Sequence, residues 1–148
     1  MKFIDKADTI MKNVKETTKI DDVASKYDEN SNTAVIIISG DDGKTGIVEH
    51  TNNLVKDLLG YHRSELLDRN VSTIMPKIYG EYHDEVLKRY LGSSESSVNG
   101  HERVVPALTK EGFMLPITAL TKVLPSLISG IQIIALIAKY ESVPIEED

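Results

Sequence analysis

The chain has 148 residues, 17 basic and 23 acidic side chains, a formal net charge of -6 and no cysteine. That length suits one domain with an appendage, and the acidic balance excludes a general affinity for nucleic acid, which needs clustered Lys and Arg. The lack of cysteine removes disulfides, thiolate metal sites and cysteine nucleophiles together, and an intracellular, cytoplasmic protein is the simpler expectation.

Phe3, Ile4, Ala7, Ile10, Met11 and Val14 recur at helical spacing between charged residues, which predicts an amphipathic N-terminal helix. Thr18 and Asp21 then mark the start of a second short helix through Ile20, Val23, Ala24 and Tyr27. MKFIDKADTIMKNVK lacks the unbroken apolar core of a secretory signal. The longest apolar run, Leu127 to Ala138, is broken by Ser129, Gly130 and Gln132 and is too short to span a bilayer. Residues 1–32 are read as a helical flank, packed on its own domain or offered to a second copy or a partner.

After the polar break at 28–32, AVIIIS (34–39) reads as a buried strand, GDDGKTG as a turn and GIVEHT (46–51) as the returning strand of a hairpin. GDDGKT ends like the phosphate-binding loop GxxxxGK[ST]. The motif's first glycine would fall on Ile38, however, and Lys44-Thr45 leads into a strand pattern rather than a helix, so the turn reading stands.

Leu54, Val55, Leu58 and Leu59 have helical spacing, with Gly60 as the stop. A short turn begins at Ser64, and residues 70–75 read as an extended passage before Pro76. The next helix carries His83 and ends near Gly92. Tyr79, Val86, Leu87 and Tyr90 share the face of His83, so this histidine is expected to point into the domain. GSSESSVNG is a polar loop. HERVVPALT, FMLPITALTKVLP and GIQIIALIAK read as three strands, in which Pro106 and Pro116 should occupy an edge or a bulge. Residues 141–148 form an acidic tail. The order predicts an α+β domain over 33–140: an antiparallel sheet covered on one face by short helices, with a pocket between them that His83 faces.

Asn52, the LGY at 59–61, the EL at 65–66 and the KEG at 110–112 keep a spacing that resembles the PAS sensor domain over residues 33–139. So do the flanking GIVEHTNNLVKDLLGYHRSELLDRNV, the MP before the His-bearing helix, RVVPALTKEGFMLPI and the closing GIQIIALIAK. The resemblance implies a five-stranded antiparallel sheet whose concave face encloses a pocket with the helices. It also implies a module that senses ligands, binds cofactors or dimerises within larger signalling proteins, and that is seldom an enzyme. The KVLPSLISGIQ ending looks like PAS modules from large proteins of unicellular eukaryotes.

Within that family, the MP, Tyr, His-Asp, Leu, Arg and Tyr followed by an Arg-Val-Val strand is similar to the haem-binding PAS domain of FixL-type oxygen-sensor kinases. By that resemblance His83 would be the axial ligand of the haem iron, Arg89 a partner for a propionate and Arg103 the strand arginine that responds to bound gas. Ala119 and Thr121 depart from it, standing where the haem sensors carry bulkier aliphatic residues, as does the composition of the GSSESSVNG loop. Without haem, His83 reads as a helix histidine bonded to a carbonyl or a tyrosine, Arg89 as an ion pair with Glu85 and Arg103 as a strand-edge salt bridge.

His50, His62, His83 and His101 form no HxxH pair, so a zinc site is not expected. No nucleophile, base and orienting group stand out as a catalytic set. The missing cysteine also excludes cysteinyl-flavin photochemistry. The leading expectation is a non-enzymatic sensory or protein-interaction module that acts in signalling or assembly through a homodimer or a partner contact, alone or within a larger assembly. The alternative is a haem-based gas or redox sensor.

Overall fold

A computed structural model describes residues 33–92, 102–126 and 130–141. The expected N-terminal helices, the GSSESSVNG loop and the tail beyond residue 141 lie outside the described residues. Strand β1 (Ala34–Ser39) is followed by β2 (Val48–Thr51), helices α1 (Asn53–Leu59) and α2 (Arg63–Leu66), and a 3-10 turn (Val71–Ile74). Helix α3 (Lys77–Gly92) then leads to β3 (Arg103–Leu108), β4 (Met114–Ser126) and β5 (Gly130–Lys139). The five strands form one antiparallel sheet in the order β2-β1-β5-β4-β3.

The β1–β2 connection is a turn. Lys44 N donates to Asp41 O at 3.1 Å, the Thr45 hydroxyl donates to the same carbonyl at 3.0 Å, and Gly46 N closes the loop on Ser39 O at 2.8 Å. Helix α1 stops where expected, at Gly60, whose φ of 88° lets its N–H reach back to Lys56 O. The passage expected to be extended at 70–75 is instead the 3-10 turn. The Asn70 side chain accepts from Ser72 N at 2.9 Å, the local side-chain-to-backbone bond that draws such a segment into a turn.

Pro106 and Pro116 face each other across β3 and β4. Directly opposed antiparallel residues either exchange two hydrogen bonds or none, so two residues without N–H groups fit the pair that exchanges none. Pro106 then presents its nitrogen to the open edge of the sheet. Pro116 sits where β4 leaves β5, its carbonyl still accepting from Tyr140 N at 3.1 Å.

Alternation along the strands divides the sheet into two apolar faces. Ala34, Ile36 and Ile38 of β1, Ile117 and Ala119 of β4, and Ile133 and Ile137 of β5 share one core with Val55, Leu59, Leu66, Val71, Ile74 and Leu87 from the helical side. The side chains between them point the other way: Val35, Ile37, Leu120, Ile134 and Leu136 are each no more than 1% exposed, yet none belongs to that core. An antiparallel sheet commonly leaves one face to water. This one is buried on both.

Candidate functional site

The residues that carry the motif spacing turn out to be braces. Asn52, fully enclosed at the entry to α1, accepts from Val35 N at 3.0 Å and donates to Thr33 O at 3.2 Å, standing in for a neighbouring strand at the start of β1. The Tyr61 hydroxyl donates to Leu108 O at 2.9 Å, and burial, followed by the nearby Glu65 carboxylate, raises its pKa. Lys110, at the β3–β4 turn, meets Glu65 at 2.6 Å, and its N–H donates to Leu59 O at 2.9 Å. The Lys110 contact, then the hydrogen bond from His62 N, holds the Glu65 carboxyl below its usual range. These contacts fasten the helical side to both ends of the sheet and leave the middle open.

That opening is a cavity of about 420 Å³ between α3, the 3-10 turn and the inner faces of β1, β3, β4 and β5, within the range of about 300 to 1,000 Å³ usual for small-molecule sites. It exists because Ala107, Ala119 and Ala135 stand on the inner face where larger side chains would fill it. Helix α3 leaves it unfilled from the other side, since Leu87 is the single buried residue among those of α3 whose burial is described. Tyr79 and Val86, expected to share the face of His83, line the cavity with it and form its rim, 57% and 54% exposed.

Polar groups are few and converge on one side. Register places Arg103 opposite Ala119, and its Nη1 reaches the Thr121 hydroxyl at 3.4 Å. His83, half-buried on α3, also lines the cavity, and its Nδ1 is buried without a hydrogen-bond partner among the described residues. Burial lowers the pKa of His83 most, the Asp84 carboxylate opposes this, and the Arg103 charge lowers it further.

The structure thus brings His83 and Arg103 to one cavity. Arg89 does not join them: it is exposed on α3 and does not line the cavity. The carbonyl or tyrosine partner expected for His83 is absent among the described residues, and the described partner of Arg103 is a hydroxyl rather than a carboxylate. Sequence reasoning missed Asn70, which holds α3 by donating to both carboxylate oxygens of Asp84 at 2.9 and 3.1 Å. Fourteen residues separate the two with no periodicity to connect them. No group of three or more His, Cys, Asp or Glu that could hold a metal ion occurs among the described residues, and no described helix is long and apolar enough to cross a membrane.

The strand order, the helical run between β2 and β3 and the cavity beneath α3 define a PAS domain fold. The PAS domain of a Colwellia psychrerythraea protein superposes with a TM-score of 0.62 at 11% identity, over 82% of this chain and 98% of that one. A domain of a sensory box sensor histidine kinase/response regulator from Geobacter sulfurreducens gives a TM-score of 0.61 at 16% identity, covering 80% of this chain and 93% of that one. The PAS-B domain of Drosophila melanogaster Cycle, with bound ethylene glycol, gives 0.55 at 13% identity over 72% and 99%. In sequence the chain is 28% identical over 94 residues to a Dictyostelium discoideum protein named as a probable serine/threonine-protein kinase. The match takes in 64% of this chain and spans only 6% of that protein's length. No family model matches the chain.

The described residues do not by themselves complete a haem site. A ligating histidine almost always gives its second ring nitrogen to an acceptor that fixes its tautomer, and the buried Nδ1 of His83 has none among the described residues. Of the two arginines that the haem resemblance implies, only Arg103 lines the cavity.

Proposed function

We propose that this chain is a non-enzymatic sensory module that works by protein contact, pairing two copies through the apolar stripe of its N-terminal flank. The observation that carries this is the stripe itself, Phe3, Ile4, Ala7, Ile10, Met11 and Val14 at helical spacing between charged residues, which calls for an apolar surface to cover it. The outer face of the sheet is not the pairing surface, because Val35, Ile37, Leu120, Ile134 and Leu136 are already buried within one chain. The flank also runs directly into β1, which lies inside the sheet.

The mass of the full chain, measured by light scattering across a concentration series, tests the proposal. A dimer is expected, with Ile10→Asp, or removal of residues 1–32, giving a monomer. A dimer that survives both changes would show that the contact lies elsewhere.

A haem sensor is the second reading, favoured by one observation, that His83 and Arg103 line the same cavity. It requires a Soret band after haem is added to the protein and loss of that band in His83→Ala. A flat spectrum removes it.

A further inference from the structure

We infer that the cavity under α3 binds an amphiphilic carboxylic acid, with the apolar body inside and the carboxylate held between Arg103 and His83. Fifteen of the nineteen lining residues are aliphatic, methionine or proline; the other four are Tyr79, His83, Arg103 and Thr121. Such a lining favours a largely apolar ligand with one polar end, and the placement of those four fixes where that end lies.

Charge selects an anion. Arg103 is the single charged side chain in the lining, no acidic residue joins it there, and no carboxylate pairs with it among the described residues. Its one described hydrogen bond is a long one, 3.4 Å to Thr121. A guanidinium offers five N–H donors in a planar fork that matches a carboxylate, and Arg103 is exposed at the mouth of the cavity, where a ligand carboxylate can reach the donors that Thr121 does not take. The buried Nδ1 of His83 supplies a further donor in the tautomer that carries its proton. A ligand oxygen beside it would supply the acceptor that the described residues do not.

Size sets the body. At the roughly 30 Å³ that a water occupies in the liquid, 420 Å³ is room for about fourteen such volumes. This suits a chain as long as that of decanoate. Seating it places apolar contacts beneath α3, which on its own buries little more than Leu87, so the bound acid anchors the helix. The site lies on the inner face of the sheet and does not depend on the proposed pairing through the N-terminal flank.

Calorimetric titration of the full chain with decanoate and with 1-decanol, both below micelle-forming concentrations, tests the inference. Decanoate is expected to bind at least tenfold more tightly than decanol and to slow amide exchange in α3. Arg103→Gln should remove that tenfold preference, and Ala119→Phe should abolish binding of both probes while the melting transition stays cooperative. Should Ala119→Phe fail to fold, Ala135→Leu fills the same space from the neighbouring strand. Equal binding of acid and alcohol, a preference unchanged in Arg103→Gln, or no binding of decanoate to the folded chain would overturn it.

Discussion

The amide nitrogen of Asn70 donates to both oxygens of the Asp84 carboxylate, at 2.9 and 3.1 Å, while its carbonyl oxygen accepts from Ser72 N. One side chain therefore shapes the turn before α3 and fastens the helix to it, one residue from His83. Gly46 completes the arrangement from the β1–β2 loop: a Cβ there would stand 2.8 Å from Asp84 Oδ1.

Breaking this link should loosen α3 more than the sheet. Asp84→Ala is expected to cost about 1 kcal/mol, the low end for a hydrogen bond to a charged group because the site is exposed to water. Amide exchange in α3 should speed up while that in β1 and β5 stays as it is. Equal acceleration throughout would mean that Asp84 supports the whole fold. Gly46→Ala should cost about as much or more, since φ there is +87° and the added methyl meets Asp84.

Asn52 replaces a missing strand at the start of β1, so Asn52→Ala strands the buried N–H of Val35. A loss of about 1 to 3 kcal/mol is expected, read as a lower urea midpoint at unchanged slope. Asn52→Asp keeps the acceptor for Val35 but not the donor to Thr33, and should recover part of it.

Truncation on the outer sheet face measures how well that face is covered. Ile37 is 0% exposed and Ile36, beside it on the inner face, 2%. Both Ile37→Ala and Ile36→Ala should cost about 2 to 5 kcal/mol, as buried isoleucines do. A loss below about 1 kcal/mol at Ile37 alone would mean that the outer face is wet in solution.

Two groups make stability depend on pH in the same direction. Folding lowers the pKa of His83 below 6.5, so its contribution is complete above that value and is lost as the pH falls toward the folded pKa. Glu65 behaves alike further down: its carboxyl is held below 4.5, and the stability it adds is present above that value and lost as the pH falls toward its folded pKa. His83→Gln should flatten the upper part of a plot of urea midpoint against pH, and Glu65→Gln the lower part. Identical curves for wild type and variants would remove both assignments.

The sheet, the hairpins and most helices were legible because each depends on neighbours in the chain. Alternation and β-branched runs mark β1 and β5, and Gly60 marks the end of α1. The 3-10 turn at 71–74 was missed because one hydrogen bond from Asn70 outweighs an apolar pattern that reads equally well as extended chain. Tyr79 and Val86 do share the face of His83, as their spacing says, but their exposure at the rim was not legible: periodicity tells which residues share a face of α3, not how closely that face approaches the sheet.

The sequence by itself determined the fold, through the spacing of Asn52, Tyr61, Glu65 and Lys110 among others, and it singled out His83 and Arg103. Only the tertiary structure decided that these two share a cavity and that Arg89 does not, that three alanines on separate strands hollow it out, and that the far face of the sheet is buried as well. Volume, register and the meeting of charges from distant segments are properties of packing. They arise only once the strands are paired, because no local pattern records how much space lies between two elements.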